Sequence, residues 1–394
     1  MTARAVWAIG IGQCVGWGVL YYAFGVLLVP VEQELGVARW IVAGAFSSAL
    51  LVSALAAPSI GRLTDRGHGP AVMRAGGLVA AGLLAVWAAA PSISTTYAAW
   101  GGLGLCMAAV LYEPVFAIVG RAIGDAADRL RAIATITVFG GFASTIFLPL
   151  TAWLVERSGW QRAVYALAAM LVLVTVVVHR AAFQSESARH RRVDTLSAQE
   201  ANPADRAGLV GLILTFGSSS FVSAALATNL IPALIERRFS ATTAATFAGL
   251  FGVMQLPGRL LIMNGRFALS PSQMIWGSLG LQTMGLAALV AGTSTPVIAL
   301  GVTVFACGSG LATLARPYLV LVLYGAGRAG QINGVIARWQ QLARAGGPVA
   351  VAALAAINGY GPVFGVLAGL LAVVGVIVVR NQDLARLADS PTMV

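Results

Sequence analysis

The chain contains no lysine; all 25 of its basic residues are arginine. Charge of either sign is scarce, at 10% of residues, against roughly 25% in a soluble globular domain. Histidine is limited to His68, His179 and His190, all in or beside polar connections, so none is placed to carry a proton deep in an apolar segment. The three cysteines, Cys14, Cys106 and Cys307, lie in apolar runs, which excludes a disulfide framework and offers no metal spacing. No polar n-region, short apolar core and cleavage site precede the first apolar run, so the first segment is expected to be retained. The apolar segments hold no His/Asp constellation or phosphate-cradling loop, and no polar domain lies outside them. An enzyme or receptor is therefore disfavoured, and no cofactor is expected.

Apolar residues make up 58% of the chain, and the mean hydropathy is +0.85. Twelve runs of about twenty apolar residues recur between residues 5 and 380, each long enough to cross roughly 30 Å of hydrocarbon as a helix. The formal net charge is +11, yet the arginines follow the membrane and not a nucleic acid. With the amino terminus inside, 17 fall in cytoplasmic connections or at inner helix ends and five outside (Arg39, Arg157, Arg162, Arg237, Arg238). Three, Arg316, Arg338 and Arg344, fall within helices. This positive-inside bias predicts a multi-pass protein of the inner (plasma) membrane, with both termini cytoplasmic and lipids as its surroundings.

The longest polar stretch carries Arg189-His190-Arg191-Arg192 and Asn202-Pro203 and separates six runs from six. It gives an N-terminal bundle at 1–183, a cytoplasmic linker at 184–207, a C-terminal bundle at 208–380 and a cytoplasmic tail at 381–394. A shift of 200 to 203 residues brings Pro30 onto Pro232, Arg66 onto Arg266, Pro114 onto Pro317 and Gly124 onto Gly327. A common offset of this kind is the mark of an internal repeat. The fold class that follows is all-α, with twelve transmembrane helices in two pseudo-symmetric six-helix bundles.

Glu113, in Tyr112-Glu113-Pro114, is the one acidic residue expected at membrane depth; its counterpart is Arg316, in Ala315-Arg316-Pro317. Each lies about eight residues from its inner helix end, roughly 12 Å deep. Ionisable groups there cost several kcal/mol unless paired or wetted, so they mark pathways by default. Stapling of the two halves is the alternative. The eleventh helix adds Arg344, with Gln340 and Gln341 at i−4 and i−3 on its own face. A planar guanidinium fork suits a carboxylate; pairing with carbonyls at a break near Gly346-Gly347-Pro348 is the other reading. Gln13, Trp17 and Tyr21 recur every fourth residue and share one face of the first helix, which either lines a cavity with Tyr112 or packs against neighbours.

The connection after the second helix reads Gly61-Arg62-Leu63-Thr64-Asp65-Arg66-Gly67-His68-Gly69-Pro70. It resembles the signature loop of the major facilitator superfamily, G-x-L-x-D-R-x-G followed by basic residues. The resemblance covers essentially the whole chain and implies a conformational latch of Gly61, Arg62, Asp65 and Arg66 at the cytoplasmic helix ends in the outward-open state. Gly69-Pro70 replaces the usual basic pair, and the second copy, Leu261 to Arg266, lacks the acid, so the latch is expected to be asymmetric. Phe24-Gly25-Val26-Leu27, leading to Glu34 through Arg39, is similar to the monocarboxylate and oxalate/formate branch. That likeness implies carboxylate binding by basic residues of the eighth and eleventh helices. Arg344 matches the latter in depth, whereas Arg259 aligns with Arg62 at an inner helix end and is read as topological.

The resulting expectation is a monomeric transporter of a small organic anion, a carboxylate, working by alternating access. Arg344, Arg316, Gln340, Gln341, Tyr112, Gln13, Trp17 and Tyr21 would bind substrate, and Glu113 would couple a proton unless a counter-anion drives transport. A proton-driven drug or amphiphile exporter of the same fold is the rival; three embedded arginines against one acid speak for an anionic ligand.

Overall fold

The computed structural model describes residues 1–37, 39–183, 203–263 and 269–380. Most of the expected linker (184–202), the second half (264–266) of the acid-free second copy of the signature loop and the tail 381–394 lie outside them. By contact density the chain forms two compact units, Met1–Ala198 with Val320–Arg338, and Gln199–Leu319 with Trp339–Val394.

The first unit begins with α1 (Ala3–Trp17), a π-helical turn over Gly18–Tyr22 and α2 (Ala23–Leu35). α3 (Arg39–Leu63) and α4 (Gly69–Ala89) are joined by a second π-helical turn, Thr64–His68, in which Gly67 takes a φ of 89° that side-chain-bearing residues rarely adopt. Then come α5 (Ile93–Val110), α6 (Tyr112–Ala122), α7 (Ala126–Gly141), α8 (Ala143–Ser158) and α9 (Trp160–Val178). The second unit contains α10 (Pro203–Glu236), α11 (Ala241–Val253), α12 (Leu256–Met263), α13 (Pro271–Ala291), α14 (Thr295–Tyr324), α15 (Ala329–Asn358) and α16 (Tyr360–Arg380). The turn between α14 and α15, with the adjoining helix ends, is grouped with the first unit.

Among the described residues, nine helical stretches are long and apolar enough to cross a membrane. One, Ile41–Ala89, has 49 residues, about 73 Å at 1.5 Å per residue, and therefore makes two crossings. α11 with α12, and the arginine-bearing α15, complete the twelve expected from the sequence. With no water to satisfy backbone groups in hydrocarbon, helices are the form such segments take.

Within each unit, glycines let helices approach closely, as expected where lipid removes the hydrophobic drive between them. A Cβ on Gly104 of α5 would meet the Ala49 carbonyl of α3 at 2.2 Å, and one on Gly285 of α13 would meet the Phe305 nitrogen of α14 at 2.5 Å. The first unit also has an aromatic core in which Trp87 and Trp100 are wholly buried. The Phe24 and Trp100 rings meet edge-on at 4.5 Å, and Trp87 Nε1 donates to Thr96 Oγ1 at 3.0 Å. Such pairs add to the large area each ring buries.

The repeat extends to further helix ends. Glu34 on α2 accepts from Trp160 Nε1 and Gln161 Nε2 at the head of α9. Its counterpart at an offset of 202, Glu236 on α10, accepts from the Tyr360 backbone N–H at the head of α16, at 3.2 Å. Gly159 and Gly359 precede those two helices at φ 81° and 76°.

Candidate functional site

Pro114 lacks an N–H, so a helix through it leaves the carbonyl four residues back without its helical donor. The chain breaks at that point: α5 ends at Val110, Leu111 is extended at φ −76° and ψ −157°, and α6 starts at Tyr112. Glu113 therefore stands in the first turn of α6, where a carboxylate suits the helix dipole. α14, by contrast, runs unbroken through Pro317.

Around the break the first unit gathers Trp17, Tyr21 and Tyr112. Trp17 lies 5.3 Å from Tyr21 and 5.0 Å from Tyr112, ring to ring, and Tyr112 stacks on Phe116 at 5.1 Å. The indole Nε1 of Trp17 is buried without a hydrogen-bond partner among the described residues. Gln13, one turn before Trp17, is buried and donates to the Val110 carbonyl. The π-helical turn at Gly18–Tyr22 begins directly after Trp17, an irregularity frequent at functional sites.

In the second unit Arg316 is 7% exposed and donates through Nη1 to Gln340 Oε1. Gln340 in turn donates through Nε2 to Ser220 Oγ at 2.9 Å and to the Phe216 carbonyl at 3.4 Å. Arg344 is one turn beyond Gln340 on the same face of α15, half-buried, and has no hydrogen-bond or ion-pair partner among the described residues. The Gln341 Oε1 and the Arg338 Nε are also buried without partners among the described residues. Arg259, read as topological at an inner helix end, is 5% exposed, and its Nη2 donates to Thr313 Oγ1 at 3.2 Å. Sequence depth alone could not find this, because the approach of α14 depends on Gly310, where a Cβ would meet the Gln255 carbonyl at 2.3 Å.

The signature loop docks on the start of α15. Asp65 accepts from the Gly330 and Gln331 backbone N–H groups, both at 2.7 Å, capping a helix 265 residues away in sequence. Gly61 packs against Gly330 so tightly that a Cβ on Gly61 would stand 2.1 Å from the Gly330 carbonyl oxygen. Neither Arg62 nor Arg66 joins the aspartate. Arg62 is exposed and donates to Ser59 Oγ at 2.9 Å, and Arg66 is exposed without a partner among the described residues. The arginine at this place is Arg121, which donates to the Thr64 carbonyl at 3.2 Å and to the Asp65 carbonyl. Burial pushes the Asp65 carboxyl up to about 6, against the pull of the two backbone bonds and of Arg121. The spacing Gly330-x-x-x-Gly334 is the sequence signal that could have located this docking face. Arg121 carried no signal beyond its place at an inner helix end. Asp65→Ala is expected to weaken the contact by about 1.5–3 kcal/mol, the worth of hydrogen bonds to a charged group. The measurement is the labelling rate of a Gln331→Cys probe, which should rise; an unchanged rate would mean that Asp65 does not hold the start of α15.

A helix broken beneath an acid, a buried arginine network and an inter-helix loop that caps a distant helix define a polytopic membrane transport protein. A family model described as Major Facilitator Superfamily matches residues 7–348, and the chain belongs to that superfamily. It is a secondary transporter working by alternating access and not an enzyme. Among solved structures, the chain is similar to the human organic anion transporter MFSD10 (TETRAN), with TM-score 0.71 and 18% identity over 95% of this chain and 98% of that one. It is also similar to the transporter FucP in the outward conformation, with TM-score 0.69 and 15% identity over 96% and 99%. A third likeness is to a variant of the E. coli fucose:proton symporter, with TM-score 0.67 and 14% identity over 95% and 98%. At these identities the likeness is one of fold. No curated protein matches the sequence.

Proposed function

We propose that this chain moves a small organic anion, a carboxylate, across the inner membrane, with Arg344 as its principal anchor and Glu113 as the proton-coupling group. The observation that carries this reading is the half-buried guanidinium of Arg344, which no described residue engages. A cation withdrawn from water without a partner is costly unless a ligand supplies the counter-charge. Arg316 and Gln340 form a braced polar wall one turn away, and Gln341 adds an unspent acceptor. In the first unit, Trp17 Nε1 is an unspent donor suited to an anion. The name of the human structural neighbour, an organic anion transporter, accords with this chemistry. The arginine distribution supports cytoplasmic termini, the halves are read as 1–183 and 208–380 joined by 184–207, and the working unit as a monomer.

The test is a thermal-shift panel of monocarboxylates, dicarboxylates, amino acids, inorganic oxyanions and cationic drugs on purified protein, followed by flux in proteoliposomes. A ligand at about 100 times its Kd adds about 2.7 kcal/mol of stability, which is readily seen. Carboxylates are expected to stabilise and cationic drugs to leave the midpoint unchanged. Stabilisation by the cations alone would overturn the anion reading in favour of an exporter.

A further inference from the structure

The break at Leu111 exposes a need that another helix meets. With Pro114 unable to donate, the Val110 carbonyl has no helical partner. Gln13 Nε2 on α1 donates to it at 2.8 Å, across 97 residues of sequence. The orientation of the amide is set by this contact, because the flipped form would bring two carbonyl oxygens together. Gln13 is 1% exposed and its Oε1 has no donor among the described residues. Gly16, on the same side of α1, faces the break, 3.6 Å from the Val110 and Leu111 side chains as measured from a Cβ placed there. The second half differs. α14 continues through Pro317, and the residue 202 positions after Gln13 is Thr215, whose buried hydroxyl has no partner.

We propose that Gln13 is a positioning residue, the cross-helix donor that holds α5 and α6 in their broken arrangement and thereby fixes where Glu113 stands at the head of α6. A glutamine with one end of its amide spent on a freed carbonyl and the other unpaired is a single-point lock, which one bond closes or releases. Its consequence for transport rests on the role proposed above for Glu113; the lock itself does not.

The test is a double-mutant cycle on the full chain. Gln13→Leu removes the donor at similar volume, and Pro114→Ala returns to Val110 a helical N–H of its own. In the natural background Gln13→Leu is expected to lower the thermal midpoint and to slow turnover by about ten-fold or more through misplacement of the acid. In the Pro114→Ala background the same change should cost less than half as much in either measure, since the two sites share one carbonyl. If Pro114→Ala is itself inactive, the midpoints decide. Equal losses in both backgrounds would overturn the lock, as would a Gln13→Leu protein with unaltered midpoint and turnover. A cycle that couples in the midpoint while Glu113→Gln still accumulates substrate normally would support the lock and remove only the role of Glu113.

Discussion

Arg344→Ala is expected to abolish ligand-induced thermal stabilisation and to reduce uptake to background, the largest loss from any single change at the site. A bidentate guanidinium contact supplies two charge-assisted hydrogen bonds worth about 1.5–3 kcal/mol each. Losing both amounts to roughly two to four orders of magnitude in Kd. The empty protein should not suffer. Arg344 has no partner among the described residues, so its removal strands no opposite charge, and the unliganded midpoint should stay level or rise. Arg344→Lys should restore binding only in part, because a compact ammonium cannot reproduce the fork. Arg131→Ala is the control, at an exposed arginine whose salt bridge to Asp128 is three residues away on the same helix. Equal losses in Arg344→Ala and Arg131→Ala would leave no local anion site to defend.

Glu113→Gln is expected to eliminate proton-driven accumulation while exchange and downhill flux continue. The amide keeps the shape of the carboxyl group and removes its change of charge. The expectation rests on placement. The other described acids cap helices or lie near their ends, as Glu34, Glu236 and Asp65 do, whereas Glu113 sits at the head of α6, inside a stretch of 30 residues apolar enough to span the membrane. Accumulation measured under an imposed pH gradient in proteoliposomes decides the matter. Wild-type accumulation in the variant would make the coupling solute something other than a proton passing through this acid.

Much of the architecture was legible because the bilayer acts on composition directly. Hydrocarbon requires about twenty apolar residues per crossing, so the crossings could be read from residue types alone. The prolines at 114 and 317 were equally visible as an internal repeat. The matching clamps, Glu34 with Glu236 and Gly159 with Gly359, fall within the same shift of 200 to 203 residues, at helix ends. Other features could not be read at all. Nothing in sequence distinguishes the proline that breaks its helix from the one that does not, because the difference depends on a donor arriving from elsewhere: Gln13 reaches the Val110 carbonyl, while the Thr215 hydroxyl has no partner among the described residues. The arginines expected to grip Asp65 point away, and its partners are two backbone N–H groups 265 and 266 residues distant. Local pattern thus determined which segments enter the membrane and which groups are expensive there. Only the tertiary structure decided which of those groups are satisfied, because a hydrogen bond is made by position and residues far apart in sequence acquire their positions only when the helices pack.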